Sequence, residues 1–509
     1  MKSILKSRPE VEFRCDDPNL TPAAGLATVA EFDRVIGIKE VINEQVGSLY
    51  RPGARYQPYS ASDVLLGLSE SQLSGGDFLC DIDYRRADEA GSLLRAVSCP
   101  PASTTLGYLA RRFGDKQLTG VENAVGILVR RSIQVLPEKA RVRLLASRPT
   151  IDLDPTDVEV YGKKKRGVAF NYAGQRCGRP HPAIWAETGL VLAADLGSGT
   201  DDPRPQAPSL MNRATAALPE GLEAAIFRGD SGFFDKEVAN AALDSGGDFG
   251  IAAKRNPALW RSVRDIAPDA WVRADGMANA EVAECSYRPE GWPSVTRAIV
   301  RRVRVEAEEI RADPRSRRRR TIDPEELKAV KAGKADHAFA YVVILTSLCW
   351  SAVEIEAWFR DRAQVEERLK DSKLGLSLRH LPSVYPEINA VWMWAAFLAL
   401  NISAVLSAFA VAQALEEDEQ AELASSDTDD AGIDHVEQEA TTGATSCWSR
   451  QHRPNRAHGK RLRREIIMVP GRIAHHARRL IVHLHPSQRD GPMLTAYAAL
   501  LALPSYAGP

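Results

Sequence analysis

The stretch WFRDRAQVEERLKDSKLGL, residues 358–376, decides how the whole chain is interpreted. Its apolar spacing, its lack of proline and the glycine near its end predict a single helix of about five turns. Four of its residues fall on one narrow stripe, at roughly 0°, −60°, −20° and −40° around the helix axis. They are Phe359, Arg362, Glu366 and Lys373. One helix face therefore presents a carboxylate flanked by two cations.

Helix geometry alone gives this stripe an ordinary explanation, because Arg362 and Glu366 would form an i,i+4 ion pair on a solvated surface. The order of residue types is more informative: an aromatic residue, Arg three positions later, Glu four positions after that, and Lys after seven more. This order resembles the Y-R-E-K signature of DDE transposases from bacterial insertion sequences. Phe359 departs from the signature, because the family has Tyr there, and any contact made by the Tyr hydroxyl is missing.

The resemblance implies an α/β fold with an RNase H-like catalytic core. A β-rich insertion would interrupt the core before its last carboxylate. A mostly helical N-terminal DNA-binding region would precede the core, and a helical C-terminal region would follow it. Glu366 would be the last of three metal-binding carboxylates, so two aspartates must lie upstream, each near the end of a strand.

Two β-prone runs supply aspartates at such positions. The run ending in IDLDPTD carries Asp152 and Asp154, which alternate onto the same strand face, so geometry does not choose between them. The family carries its first catalytic aspartate in a D-x-T context, and Asp154 fits that context. Asp230 ends the strand EAAIFRGD, where an open α/β sheet binds ligands, and it resembles the family's second catalytic position. Capping roles would explain both Asp154 and Asp230 without chemistry, and three positions in the right order favour catalysis.

The resemblance also implies the cofactor and the role of the neighbouring cations. Phosphodiester cleavage needs an activated attacking oxygen and a stabilised leaving oxygen, and two Mg²⁺ ions about 4 Å apart provide both. Asp154 would be shared between the two ions, while Asp230 and Glu366 would each complete one site, with Mn²⁺ as a substitute metal. Arg362 and Lys373 would hold phosphates of the transposon end.

Charge is unevenly distributed along the chain. Residues 416–439 contain eleven acidic residues and no Lys or Arg, so a net charge of −1 leaves the remainder ten charges positive. The positive charge is concentrated at residues 311–320 and 450–479, which indicates a polyanion partner, although solubility explains basic runs as well. The predicted helix at 103–113 adds two arginines and reads as a recognition helix or as an ordinary surface helix. The DNA-binding candidates outside the stripe are Arg111, Arg112, Arg317, Arg318, Arg319 and Arg320.

The pattern of apolar residues divides the chain into six regions. Helices are predicted at 60–73, 103–113 and 120–135, and strands at 141–153, 168–172, 184–196, 223–227, 248–253 and 337–350. The predicted regions are a helical DNA-binding region (1–140), the first part of the core (141–255), the β-rich insertion (256–335), the second part of the core with Glu366 (336–415), an acidic disordered linker (416–447) and a basic helical C-terminal region (448–509).

Residues 388–412 contain no charged side chain and are long enough to span a bilayer. They include Asn389, Asn401, Ser403 and Ser407 and have no basic flank, so a buried core helix is favoured over a membrane span. The N-terminus has no apolar signal segment, and the seven cysteines form no C-x-x-C pair. We expect a cytoplasmic protein that is associated with the nucleoid when bound to DNA.

These observations predict a DNA transposase that binds the inverted-repeat ends of its insertion sequence, cleaves them and joins them to target DNA. Its expected partners are double-stranded DNA, as ends and as target, and a second copy of the chain when bound to DNA, with no membrane. One alternative is an RNase H-like nuclease or resolvase that cuts without joining. Others are a DNA-binding protein descended from a transposase and no longer catalytic, and a membrane protein built on residues 388–412.

Overall fold

The computed structural model describes residues 11–312, 320–426 and 458–508, and within them the chain has the predicted mixed α/β class. The N-terminal region is helical. Its helices are α1 Leu26–Ile36, α2 Ile38–Val46, α3 Ala61–Leu73, α4 Ile82–Ala87, α5 Ser103–Ala110, α6 Asp115–Val135 and α7 Glu138–Ala146.

A capping box sets the start of α3, which lies within the helix predicted at 60–73. The Ser60 hydroxyl accepts a hydrogen bond from the backbone N–H of Asp63 at 3.2 Å, and the Asp63 carboxylate accepts one from the Ser60 N–H at 2.7 Å. The prediction at 103–113 overshoots, because α5 ends at Ala110 and leaves Arg111 and Arg112 beyond it. The predicted strand at 141–153 is wrong in its first half, which forms α7, because Leu, Arg and Ala favour a helix there.

Two sheets are described, one large and one small. The strands are β1 Leu20–Thr21, β2 Thr150–Leu153, β3 Val158–Glu159, β4 Ala169–Phe170, β5 Arg176–Trp185, β6 Leu190–Ser198, β7 Ile226–Gly229, β8 Asp248–Ala252, β9 Val272–Arg273, β10 Ala280–Cys285, β11 Arg297–Glu306, β12 His337–Thr346, β13 Gly471–His476 and β14 Arg479–Leu484. The large sheet has the order β3-β5-β2-β7-β8-β12-β11-β10-β9, with β4 and β6 also paired to β5. The small sheet has the order β1-β13-β14.

The middle of the large sheet changes from antiparallel to parallel pairing. β5 runs antiparallel to both β6 and β2, whereas β7 runs parallel to β2 and β8 runs parallel to β7. The predicted strand at 184–196 is two strands, because Gly189 has a φ of +70° and allows a tight turn between β5 and β6.

The insertion at 256–335 extends the core sheet. β11 pairs with β12 over ten residues, and β12 pairs with β8, so β9 to β12 continue the sheet in antiparallel order. The remaining helices are α8 Ala207–Ala217, α9 Lys236–Asp244, α10 Pro257–Arg264, α11 Ala307–Ala312, α12 Pro324–Lys331, α13 Ala352–Arg360, α14 Ala363–Leu374, α15 Pro386–Ser426, α16 His458–Leu462 and α17 Pro492–Leu501.

Helix α15 lies between the N-terminal helices and the sheet. Among the described residues it is the one helix that is long and apolar enough to cross a membrane, and 78% of its most apolar window is buried inside the protein. On one side the Ser69 hydroxyl of α3 donates to the Ala395 carbonyl at 2.9 Å. On the other side the Asn401 amide accepts from the Val191 N–H at 2.8 Å and donates to the Val191 carbonyl at 3.0 Å. The prediction of a buried core helix is confirmed.

Two predictions about the end of the chain need correction. Residues 416–426 of the predicted linker continue α15, because Glu, Gln, Ala and Leu favour a helix, and residues 427–447 lie outside the described residues. The C-terminal region is not wholly helical, because β13 and β14 form a hairpin between α16 and α17. The β-branched residues Ile473, Ile481 and Val482 in GRIAHH and RLIVHL favour strands there.

Two helical glycines test how closely the N-terminal helices pack. A Cβ on Gly120 of α6 would lie 2.4 Å from the Gln45 carbonyl oxygen of α2, whereas one on Gly107 of α5 would meet nothing within 4 Å. We expect Gly120→Ala to lower the free energy of unfolding by about 1–3 kcal/mol through overpacking. Gly107→Ala should raise it by up to about 1 kcal/mol, because alanine favours the helix. Urea denaturation of the two variants measures both changes, and equal effects would contradict this packing.

Candidate active site

Asp154 and Asp230 each directly follow the last residue of one of two neighbouring parallel strands, β2 and β7. In the register of β2 and β7, Leu153 lies opposite Gly229, so the next residue on each strand is one of these aspartates. Neighbouring strands are about 4.8 Å apart, which brings the two carboxyl groups together at the end of the sheet. The predicted positions of the first two carboxylates therefore meet in space.

The Asp154 carboxyl is largely buried, with a side-chain exposure of 14%. Burial raises the pKa of this group to about 7, and Arg362 opposes the shift. The negative charges of Asp230 and Glu366 raise the pKa further. Asp230 and Glu366 are thus each close enough to Asp154 to influence its ionisation.

Asp230 has the capping role that the sequence also allows. Its Oδ1 accepts a hydrogen bond from the backbone N–H of Gly232 at 2.8 Å, at the start of a short turn of 3₁₀ helix. The side chain is only half-buried. Capping fixes the orientation of this carboxylate next to Asp154, so the structural role and a metal-binding role are compatible.

Asp152 differs from Asp154 in its ion-pair partner. Arg228 on β7 donates to both of its carboxylate oxygens, at 2.6 and 2.7 Å, and the two side chains are 0% and 3% exposed. Arg228 also donates to the Trp358 carbonyl and lies 5.0 Å from the centre of the Trp358 ring. Asp152 therefore has a structural role, and Asp154 is the catalytic candidate, as the D-x-T context predicts.

The predicted single helix at 358–376 is wrong, because α13 ends at Arg360 and α14 begins at Ala363. In an unbroken helix the Trp358 carbonyl would accept the N–H of Arg362. Here that carbonyl accepts from Arg228, and the Arg362 N–H bonds to the Phe359 carbonyl at 3.2 Å instead. A contact with the sheet therefore divides the helix.

Arg362 and Lys373 still face the same segment of chain. Arg362 donates to Asp154 at 2.8 Å, and Lys373 donates to the backbone carbonyl of Asp157 at 2.7 Å. Glu366 is 68% exposed, and its carboxylate lies 3.8 Å from the Arg362 guanidinium, which is the i,i+4 pair that geometry predicted. Arg362 is thus the positive charge between Asp154 and Glu366.

The three carboxylates suit a hard divalent cation, which prefers oxygen ligands. Within the described ranges, however, no three His, Cys, Asp or Glu side chains lie close enough together to hold a metal ion. The exposed Glu366 side chain accounts for this, because it points to Arg362 and solvent rather than to the two aspartates.

The family model described as Transposase DDE domain group 1 matches residues 4–425. The chain belongs to this DDE transposase family. Comparison with curated proteins found no match. Among solved structures, a cryo-EM structure of a piggyBac transposase synaptic complex with hairpin DNA resembles this transposase with a TM-score of 0.35 and 10% identity, over 76% of this chain and 75% of that chain.

The remaining DNA-binding candidates of this transposase have different surroundings. Arg111 is exposed and lies 3.9 Å from the centre of the Tyr385 ring. Arg112 donates to the Leu49 carbonyl at 2.8 Å and to the Tyr108 hydroxyl at 2.5 Å, so it fastens the end of α5. Arg320 is exposed, whereas Arg317, Arg318 and Arg319 lie outside the described residues.

Sequence reasoning missed Arg228, which positions the site without belonging to it. The available signal was an arginine inside the apolar strand IFRG, because a charge in a buried strand requires a buried partner. It also missed Asp157, whose carbonyl binds Lys373 and whose carboxylate binds Arg179 at 2.6 Å. No spacing rule connects these residues.

Replacing Asp152 or Asp154 with Asn gives a matched pair of variants that should differ in their free energy of unfolding. Asp152→Asn leaves the charge of Arg228 buried without its counter-ion, so we expect a loss of about 3–5 kcal/mol in the free energy of unfolding. Asp154→Asn removes a carboxyl whose folded pKa lies above its ordinary value, so its ionised form opposes folding as the pH rises through about 7. At pH 8 this variant should be as stable as the wild type or more stable.

Urea denaturation of both variants at pH 8 tests the two roles. A large loss in Asp154→Asn together with none in Asp152→Asn would reverse the assignment.

Proposed function

We propose that this transposase binds the inverted-repeat ends of its insertion sequence, cleaves them with two divalent metal ions and joins them to target DNA. One observation carries the proposal. Asp154 and Asp230 occupy matching ends of adjacent parallel strands, and the charge of Glu366 on α14 reaches Asp154. Two aspartates at the end of a parallel pair of strands, with a glutamate on the neighbouring helix, suit two-metal phosphodiester chemistry.

The donor set fits such a cation in charge as well as in chemistry. Burial raises the pKa of Asp154, and the charges of Asp230 and Glu366 raise it further against the opposing charge of Arg362. A divalent cation would favour the ionised form of this carboxylate. Asp154, Asp230 and Glu366 would hold the metal, Mg²⁺ or Mn²⁺. When bound there, two such ions activate the attacking oxygen and stabilise the leaving 3′-oxygen.

The Arg362 guanidinium can exchange its partner Asp154 for a phosphate of the DNA. Its guanidinium binds Asp154, while its Nε is buried and has no hydrogen-bond partner among the described residues. A phosphate accepts two parallel hydrogen bonds from a guanidinium, so a DNA end offers Arg362 a more complete set of contacts. We infer that Arg362 turns to a phosphate, and Glu366 turns to Asp154, when DNA binds.

Lys373 is the second phosphate-binding candidate. Burial lowers its pKa, while Asp157 and Asp154 act in the opposite direction. Its ammonium group therefore lies close to the carboxylates and remains on the side of α14 that faces them. This position suits a contact with a phosphate next to the cleaved bond.

The remaining parts of the proposal follow from the same features. The order β6-β5-β2-β7-β8, with antiparallel strands first and parallel strands last, supports an RNase H-like core. The order Phe359, Arg362, Glu366 and Lys373 supports the Y-R-E-K group of bacterial insertion sequences. Holding two ends at once calls for a homodimer on DNA, in a cytoplasmic protein that associates with the nucleoid.

We expect Glu366→Gln to abolish Mg²⁺-dependent cleavage of the element's ends while leaving binding of the ends nearly unchanged. Glutamine keeps the size and one acceptor oxygen but loses the charge that a hard cation needs. Because the Glu366 side chain is exposed, the fold should not change. The assay uses linear DNA that carries the element's ends, with cleavage and gel shift measured on the same samples.

Glu367→Gln is the matched control. Glu367 is exposed on the same helix but lies about 100° further round the axis, so its variant should retain activity. Cleavage by Glu366→Gln at a near wild-type rate would remove the third carboxylate. Joining of a pre-cut end to target DNA distinguishes a transposase from a nuclease that only cuts.

A further inference from the structure

Residues 161–176, YGKKKRGVAFNYAGQR, combine positive charge with aromatic rings. This exposed segment, called the loop below, includes the two-residue strand β4 and ends at the first residue of β5. The loop contains five cationic residues and no acidic residue. Tyr161, Phe170 and Tyr172 are 85%, 64% and 92% exposed, although aromatic side chains are usually buried. The strand predicted at 168–172 is present as the shorter β4, Ala169–Phe170. The mixture of rings and cations remains unexplained by the fold.

The loop directly follows the extended segment of chain that contains Asp154. Residues 151–160 run along β5 as one extended antiparallel segment, from the pairing of Ile151 with Trp185 to the hydrogen bond from the Val160 N–H to the Arg176 carbonyl. Tyr161 follows Asp154 by seven residues, which is at most roughly 23 Å of extended chain. That length equals about seven nucleotides at the spacing of a duplex strand.

Hydrogen bonds fix the tip of the loop. The Asn171 side chain is buried, and its oxygen accepts the N–H groups of Ala173 and Gln175 at 3.0 and 2.9 Å. Its amide nitrogen donates to the Asp157 carboxylate at 2.8 Å. Asp157 in turn accepts from Lys373 on α14, so the turn that displays Tyr172 is linked to the helix carrying Glu366.

The cations of the loop divide into two groups. Lys165 donates to the carbonyls of Leu381 and Ser383, and Arg176 donates to the carbonyls of Gly162 and Lys165, so both brace the loop. The other three are exposed, and the described part of the chain shows no partner for their charged groups. These are Lys163, Lys164 and Arg166.

We propose that the loop at 161–176 binds unpaired nucleotides of the DNA strand within about seven nucleotides of the cleavage site. Its three exposed rings would stack on bases, and its three free cations would contact phosphates. The inference rests on the proposed function, because it takes the DNA end as the ligand of the neighbouring carboxylates.

Single-stranded DNA fits this loop better than duplex DNA or a protein partner. Every base has a face on which a ring can stack, but bases in a duplex are already stacked on one another. The absence of acidic residues from the loop suits a polyanion, and three rings beside three cations match the combination that single-strand binding surfaces use.

Fluorescence anisotropy with labelled oligothymidine, compared with a duplex of equal length in EDTA, tests the inference apart from catalysis. We expect Tyr161→Ala, Phe170→Ala and Tyr172→Ala each to weaken oligothymidine binding between about fivefold and a hundredfold, and duplex binding less. Tyr172→Phe keeps the ring and should bind as the wild type does. Tyr84→Ala removes a ring that is 71% exposed elsewhere and should have no effect.

Salt dependence tests the cations. Replacing Lys163, Lys164 and Arg166 together with Ser should reduce the slope of log K against log salt by about 2, because each single-strand phosphate contact contributes about 0.7. An unchanged slope would overturn the role of the cations. Ring variants that bind oligothymidine normally, or that lose duplex binding equally, would overturn the assignment to unpaired DNA. If ring variants bind oligothymidine normally while the wild type cleaves the element's ends, the loop inference fails and the proposed function stands.

Discussion

The buried ion pair between Arg228 and Asp152 is the constraint on which the site depends. Removing two charges from water is costly, and the pair compensates with two short hydrogen bonds in a bidentate arrangement. Arg228 uses a third donor on the Trp358 carbonyl, so one guanidinium joins β2, β7 and α13. Asp154 and Asp230 each lie two residues beyond this junction, which fixes their separation.

The same junction determines where α14 begins. Because the Trp358 carbonyl is engaged by Arg228, the helical hydrogen bonding is interrupted, and α14 starts as a separate helix after Arg362. Close packing reinforces the position, since a Cβ on Gly250 of β8 would lie 2.5 Å from the Trp358 ring. Arg362 therefore contacts Asp154. The positions of the carboxylates and of Arg362 thus depend on the contact of Arg228 with Asp152 and Trp358, which takes no part in the proposed chemistry.

The sequence was sufficient for those features that depend on residue type and order. Spacing around Glu366, and a D-x-T context at Asp154, selected residues whose charges do interact in the structure. The break between α13 and α14 could not be predicted, because the donor that competes for the Trp358 carbonyl lies 130 residues away in the chain. Local pattern also failed at 141–146, where helix propensity outweighed the alternation of apolar residues.

In helix α15, a few polar side chains distinguish a buried core helix from a membrane span. Asn401 binds both backbone groups of Val191 on the edge strand β6, and Asn389 binds both backbone groups of Ser383, at 2.9 and 3.0 Å. Each amide thus satisfies a donor and an acceptor that would otherwise be buried without a partner, and the first also covers a sheet edge. The two asparagines that count against a membrane span in the sequence are therefore those that attach the helix to the rest of the protein. Since α15 contacts α3 on its other side, it holds the N-terminal helices in a fixed relation to the sheet that carries the carboxylates.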